Sequence, residues 1–423
     1  MNTSALHSAL LTVSAYKDVL RTPVMSTVLR LLSVLTRGQG EDALSAYTDL
    51  FYTLRQEGFD SLGSWLADAL RWDEGPYPQL AESGGQDSAL ETAAQRDLTA
   101  FSLLAGMEGQ LWLDALADCL SPEDKWLTDG LPTWNGCVPF SFEGLTDLYR
   151  KEGVGMFARY RAFVWEGGVL IPVTDPDCPS ENDLLGYTDQ REEVWRNTQA
   201  LLTGRRVNNV LLYGESGTGK SATVKHLLTL PGTQELRLIE ADKENLSGLP
   251  ALIRSLRGRR QKFLVFIDDL AFDRDDSTYS ILKTILEGGL ERRPDNVAIY
   301  ATSNRRHLVR QTISERAGDE MDRSETIREK TSLADRFGLR ILFQGLDKSA
   351  YLELVDKLAA QAQIVLDQEE LHRQALAWER FHASRTPRGA QQFILSLTRA
   401  FRPEGLPNSR KQARGRRPSA DLF

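Results

Sequence analysis

The chain has 423 residues, too many for one hydrophobic core and enough for two or three domains. Hydrophobic residues make up 41% and charged residues 26%, the balance of a globular protein in water, and a net charge of −8 repels nucleic acid except at local basic segments. No run approaches the roughly 20 apolar residues of a membrane span, and no cationic segment leads into an apolar run at the start. Three scattered cysteines (Cys119, Cys137, Cys178) fit neither a disulfide framework nor a zinc site. A cytoplasmic protein without membrane contact is expected.

Residues 1–158 read as a mainly α-helical N-terminal domain. Leu44, Tyr47, Leu50, Phe51 and Leu54 recur at spacings of three and four, as do Leu98, Phe101 and Leu104, which gathers each set on one helical face. Ser121-Pro122-Glu123-Asp124 carries a helix-start signal, whereas the Gly, Pro and Ser of Asp73–Asp87 predict a loop. Residues 159–182 are expected to form a β-hairpin, turning at Glu166-Gly167-Gly168, and then a linker.

From residue 183 to 345 short apolar runs alternate with helical patterns. The runs Asn209–Tyr213, Leu236–Glu240, Phe263–Ile267, Val297–Ala301 and Arg340–Phe343 predict a parallel sheet covered on both faces. Residues 346–401 are helical throughout and predict a small lid. The tail over residues 402–423 holds six basic residues and almost no apolar ones, and is expected to be a disordered, solvated arm. Arg254, Arg257, Arg259, Arg260 and Lys262 form a second basic cluster, read as a solvated helix end in preference to a phosphate-backbone site. Arg292-Arg293 and Arg305-Arg306 are candidates for a subunit interface. The loop 309–332 is long enough to be an interface element.

The segment Gly214-Glu215-Ser216-Gly217-Thr218-Gly219-Lys220-Ser221 fits GxxxxGK[ST] between a strand and a helix. Glycines let successive backbone N–H groups face a polyphosphate, and the following helix adds its positive end. Lys220 is then suited to the β- and γ-phosphates of ATP, and the Ser221 hydroxyl to Mg²⁺. Phe263–Ile267 ends in Asp268-Asp269, where Asp268 suits the magnesium shell and Asp269 the orientation or deprotonation of water. Asn304, after the third strand, is placed to position that water. A turn-forming asparagine is the competing explanation.

The order of GESGTGKS, FIDD, ATSN, LADRFGL and TPRGAQQF resembles the AAA+ ATPases. More closely, YGESGTGKSATVKHLL, RLIEADKENL, LEGGLERRPDNVAIYATSNRRHL and EKTSLADRFGL resemble an uncharacterised bacterial AAA+ family over roughly residues 160–400. The resemblance implies a five-stranded parallel sheet, a helical lid and ATP turnover. It gives Asn304 a sensor position, Arg336 the role of an arginine finger for a neighbouring subunit, and Arg388 that of a lid sensor. Leu184-Leu185-Gly186-Tyr187, with Leu185 and Gly186 at its centre, matches the segment lining the base pocket. AAA+ enzymes usually carry Asp-Glu where this chain has Asp268-Asp269, which implies slow or regulated turnover. Two functions follow: an oligomeric ATPase that remodels a protein or nucleic-acid client, or an ATP-dependent switch or scaffold with little hydrolysis. A small-molecule phosphotransferase leaves Asn304, Arg336 and Arg388 without a purpose.

Overall fold

The computed structural model describes residues 3–136, 141–243, 246–270, 277–287, 292–304, 333–382 and 384–400. The tail over 402–423, the loop 309–332, Arg305-Arg306 and Cys137 lie outside them.

Seven strands form one sheet: β1 (Ala162–Glu166), β2 (Val169–Val173), β3 (Val210–Gly214), β4 (Leu236–Ala241), β5 (Lys262–Ile267), β6 (Val297–Ser303) and β7 (Leu339–Phe343). Their order is β2-β1-β4-β5-β6-β3-β7, and every pair is parallel except β1 with β2. The expected count of five is therefore corrected to seven. The five predicted runs all form strands, and the hairpin adds two more because β1 pairs in parallel register with β4, Ala162 opposite Leu238. That partner lies more than 70 residues away, so hairpin periodicity alone could not reveal it.

Both faces of the central strands β4, β5 and β6 are buried, which is why these strands are continuous apolar runs. Along β5, Phe263, Val265 and Ile267 face one core with Leu249, Leu252 and Ile253, while Leu264 and Phe266 face the other with Val194, Val224 and Leu227. After β7, helices Lys348–Gln361, Gln368–His382 and Pro387–Ala400 pack around Tyr351, Val355, Ala375 and Phe393.

Before the sheet, the helical residues hold a core of their own around Tyr16, Tyr47, Phe101 and Trp112. Asp97 is buried there and its Oδ2 accepts from the backbone N–H groups of Ser14, Ala15 and Tyr16. The Asp73–Asp87 stretch is not all loop. Gly75 caps a short helix, Pro76–Glu82, with Pro76 at its first position, where a missing N–H costs nothing. Conversely, Ser121–Asp124 forms a turn rather than the start of an α-helix, and only a 3₁₀ turn, Lys125–Thr128, follows. The Ser121 hydroxyl is engaged by the Asp124 carboxylate instead of capping. Arg259 ties this helical layer to the sheet, pairing with Glu74 and Glu82, and Gln261 Nε2 donates to the Glu152 carbonyl at 2.9 Å. No helix among the described residues is long and apolar enough to cross a membrane.

Candidate nucleotide site

In a parallel sheet the carboxyl ends of the strands share one edge, and that is where ligands bind in open α/β folds. β6 lies between β3 and β5, so their ends bring three sequence-distant segments together. Asn304 follows β6, Asp268 and Asp269 follow β5, and the glycine-rich loop follows β3.

That loop depends on backbone shapes that favour glycine. Gly214 (φ 138°), Gly217 (φ 79°) and Gly219 (φ 92°) all have positive φ. A Cβ on Gly214 would overlap the Phe343 carbonyl of β7, so the loop leaves the sheet only because that position has no side chain. Gly219 then caps the helix Lys220–His226.

Lys220 is buried, with 5% of its surface exposed. Its ammonium donates to the carbonyls of Gly214 (3.1 Å) and Glu215 (2.6 Å) and to Asn304 Oδ1 (2.8 Å). Burial lowers its pKa, and Asp268 and Asp269 oppose that shift. Asn304 Nδ2 donates in turn to Asp269 Oδ1 at 2.8 Å. One carboxamide thus joins the lysine to the second aspartate. The first aspartate is held differently: Ser221 Oγ donates to Asp268 Oδ1 at 2.6 Å, and Thr302 Oγ1 donates to the same oxygen. Thr302 Oγ1 also accepts from the Asp269 N–H at 2.8 Å, fixing the two acids relative to one another. Asp269 adopts a left-handed conformation, φ 50°, uncommon outside glycine. Lys243, just past β4, pairs with Asp269 Oδ2 at 3.5 Å.

Beside this cluster lies a cavity lined by Leu185, Tyr187, Thr218, Phe343, Arg388 and Gln391, among others. The Arg191 guanidinium donates to the Leu184 carbonyl at 2.9 Å, which fixes the loop that forms one wall. The backbone N–H of Arg388 donates to the Gly217 carbonyl at 3.2 Å, so the last helix begins against the glycine loop. Gly186 turns the loop with φ 70°.

Lys220, Ser221, Asp268, Asp269 and Asn304 are therefore in one hydrogen-bonded cluster, with Arg388 and Leu185 on the adjoining cavity. Arg336 is not among them. It is exposed at the amino end of β7, whereas the carboxyl end, Phe343, abuts the glycine loop. Thr302, Lys243 and Gln391 were not singled out from sequence. Thr302 had a usable signal, since it and Asn304 are two apart at a strand end and share a face.

The matching family spans most of this architecture. A family model described as a protein of unknown function (DUF815) matches residues 158–400. The chain belongs to that family. The matched span begins at the hairpin and contains every residue of the cluster above, in keeping with the uncharacterised family that the motifs resemble. No curated protein matches. Solved structures that resemble the chain include two of Thermotoga maritima RuvB. A variant form is 14% identical, covering 52% of this chain and 71% of that one with a TM-score of 0.32. The other, titled a Holliday junction branch migration motor, is 13% identical with the same coverage and a TM-score of 0.30.

Proposed function

We propose that the chain is an ATP-binding AAA+ ATPase, working as a homo-oligomer and coupling hydrolysis to the remodelling of a protein or nucleic-acid client. The observation that carries this reading is the continuous chain of contacts Lys220–Asn304–Asp269 beside Ser221–Asp268–Thr302. An ammonium, a hydroxyl and two carboxylates meet at the end of a glycine loop, the set of groups that a magnesium-bound triphosphate requires.

The residues fit both ligands. Positive-φ glycines and Lys220, whose hydrogen-bond partners are neutral oxygens, suit the phosphates. Ser221 and Asp268 offer hard oxygens, and among the described residues no three His, Cys, Asp or Glu side chains form a metal site by themselves. That suits magnesium, which is commonly held by one or two carboxylates together with substrate phosphates. When bound, the metal supplies charge neutralisation at the phosphates. The chain's own groups then divide the work. Lys220 holds phosphate charge, Asn304 orients a water, and Asp269 accepts its proton. Arg388 reaches the phosphates from the lid, and Leu185 and Tyr187 contact the base.

Arg336 is a strand's length from its own cluster, a position that suits contact with the site of a second copy of the chain better than with its own. The test is steady-state phosphate release over a range of protein concentrations. Turnover per chain should rise with concentration and disappear in Arg336→Ala while ATP still binds. Concentration-independent turnover unaffected by that substitution would remove the oligomeric mechanism.

A second reading, an ATP-dependent switch or scaffold with little hydrolysis, is favoured by one observation. Asp269 has the shorter acidic side chain, and both of its carboxylate oxygens are already engaged, by Asn304 and Lys243. Tight ATP binding with phosphate release no faster than background would select this reading.

A further inference from the structure

The polar side chains lining the cavity beside the phosphate cluster are, with one exception, committed or one-sided. The Tyr187 hydroxyl donates to the Gln344 carbonyl at 2.6 Å, and the Thr218 and Thr223 hydroxyls donate to the carbonyls of Glu215 and Gly219 at 2.8 and 2.9 Å. Each has spent its only proton. Asp183 accepts from the Ser180 hydroxyl and N–H, which lowers its pKa and leaves it nothing to donate. Arg191 and Arg388 are guanidinium groups, donors that cannot accept. Gln391 is the exception. Its carboxamide is exposed on the cavity and has no hydrogen-bond partner among the described residues. It is the one lining side chain that can donate and accept at once.

Its place on the last helix decides what it can meet. The Arg388 N–H donates to the Gly217 carbonyl at 3.2 Å, so the helix Pro387–Ala400 starts against the glycine loop. Gln391 follows Arg388 by three positions, on the same face and about 4.5 Å farther along the axis. Arg388 thus stands at the phosphate end, and Gln391 stands one turn away on the cavity that Leu185 and Tyr187 also line. Apolar walls hold a flat base, and a few placed polar groups supply discrimination. A glutamine carboxamide pairs with adenine through two bonds. Its oxygen accepts from the 6-amino group, and its N–H donates to a neighbouring ring nitrogen. We propose that Gln391 is the specificity-determining residue of this cavity, selecting a purine nucleotide whose 6-amino group stands beside a ring nitrogen. This assignment rests on the reading of the cavity as part of a nucleotide site.

The test uses the full chain with Mg²⁺ and two probes that share sugar and phosphates: ATP, and purine riboside triphosphate, which lacks only the 6-amino group. Calorimetry gives a Kd for each, and the readout is their ratio. The wild type should prefer ATP by about three- to tenfold, the effect of one hydrogen bond. Gln391→Leu keeps most of the side chain's bulk without its polar atoms, and Gln391→Ala removes it. Both should bring the ratio to about one, with ATP weakened more than the analogue. Gln392→Leu, one position on and off the cavity, should keep the wild-type ratio. Both glutamines are exposed, so none of these substitutions threatens the fold. A wild-type ratio of one, or a preference that survives in both Gln391 variants, overturns the assignment and leaves nucleotide binding in place. So does a ratio that falls equally in Gln392→Leu. Binding of neither probe by the wild type is a distinct result, which overturns the nucleotide reading and this assignment with it.

Discussion

Lys220 Nζ and Asn304 Oδ1, separated by 84 positions in the chain, are 2.8 Å apart. The contact fixes the geometry of the site, because the same carboxamide turns its nitrogen to Asp269. Replacing Lys220 with alanine removes the charge expected to meet the phosphates and leaves Asn304 without its donor. Charged hydrogen bonds are worth about 1.5–3 kcal/mol each, so ATP affinity should fall at least about tenfold. Isothermal titration calorimetry measures this directly, and wild-type affinity in Lys220→Ala would dissolve the site assignment.

Asp269→Asn keeps the size and the acceptor oxygen of the side chain but removes the base. ATP should bind with near-wild-type affinity while phosphate release drops by about 10²-fold or more, the usual contribution of a positioned base. Unchanged turnover would take Asp269 out of the reaction.

Gly214→Ala tests the backbone rather than the chemistry. The new methyl group meets the Phe343 carbonyl at a φ of 138°. Strain of this type costs about 1–3 kcal/mol and is relieved only by moving the loop away from β7. Both a lower thermal midpoint and loss of ATP binding should follow. A variant with unchanged melting would show that β7 yields freely there.

Asp73 carries the pH prediction. Burial, only partly opposed by the Gly75 N–H hydrogen bond, pushes its carboxyl from 3.8 up to about 6. The folded chain therefore holds this proton more tightly than the unfolded chain. The resulting stabilisation is complete below pH 3.8 and is lost as pH rises through 6. About two pH units at roughly 1.4 kcal/mol each set a ceiling near 3 kcal/mol. Asp73→Asn keeps an acceptor for Gly75, so it should stabilise the chain at pH 7 and flatten its stability between pH 4 and 6. Denaturant titrations at those pH values give the answer, and a variant with the wild-type slope would refute it.

Much of this site was legible because local patterns carry it. A glycine loop with lysine and serine, and two buried runs ending in acids or asparagine, identify strand ends wherever they fall, and the fold had only to put those ends on one edge. Thr302 was hidden by its neighbours: Thr-Ser-Asn after an apolar run looks like a turn, yet β6 continues to Ser303 and carries the threonine hydroxyl between the two aspartates. The helix Pro76–Glu82 was concealed in the same way by its glycine and prolines. The pairing of β1 with β4 and the Lys243–Asp269 contact are tertiary facts. No window of sequence contains both partners.

β5 has its amino end beside Arg259, which Glu74 and Glu82 of the helical layer grip, and its carboxyl end at Asp268 and Asp269. Six residues of extended chain span roughly 20 Å. One uninterrupted strand thus joins the helices to the acids, like a lever with its handle outside and its tip in the proposed nucleotide site. Anything that shifts those helices would pull on the strand that ends at the two aspartates.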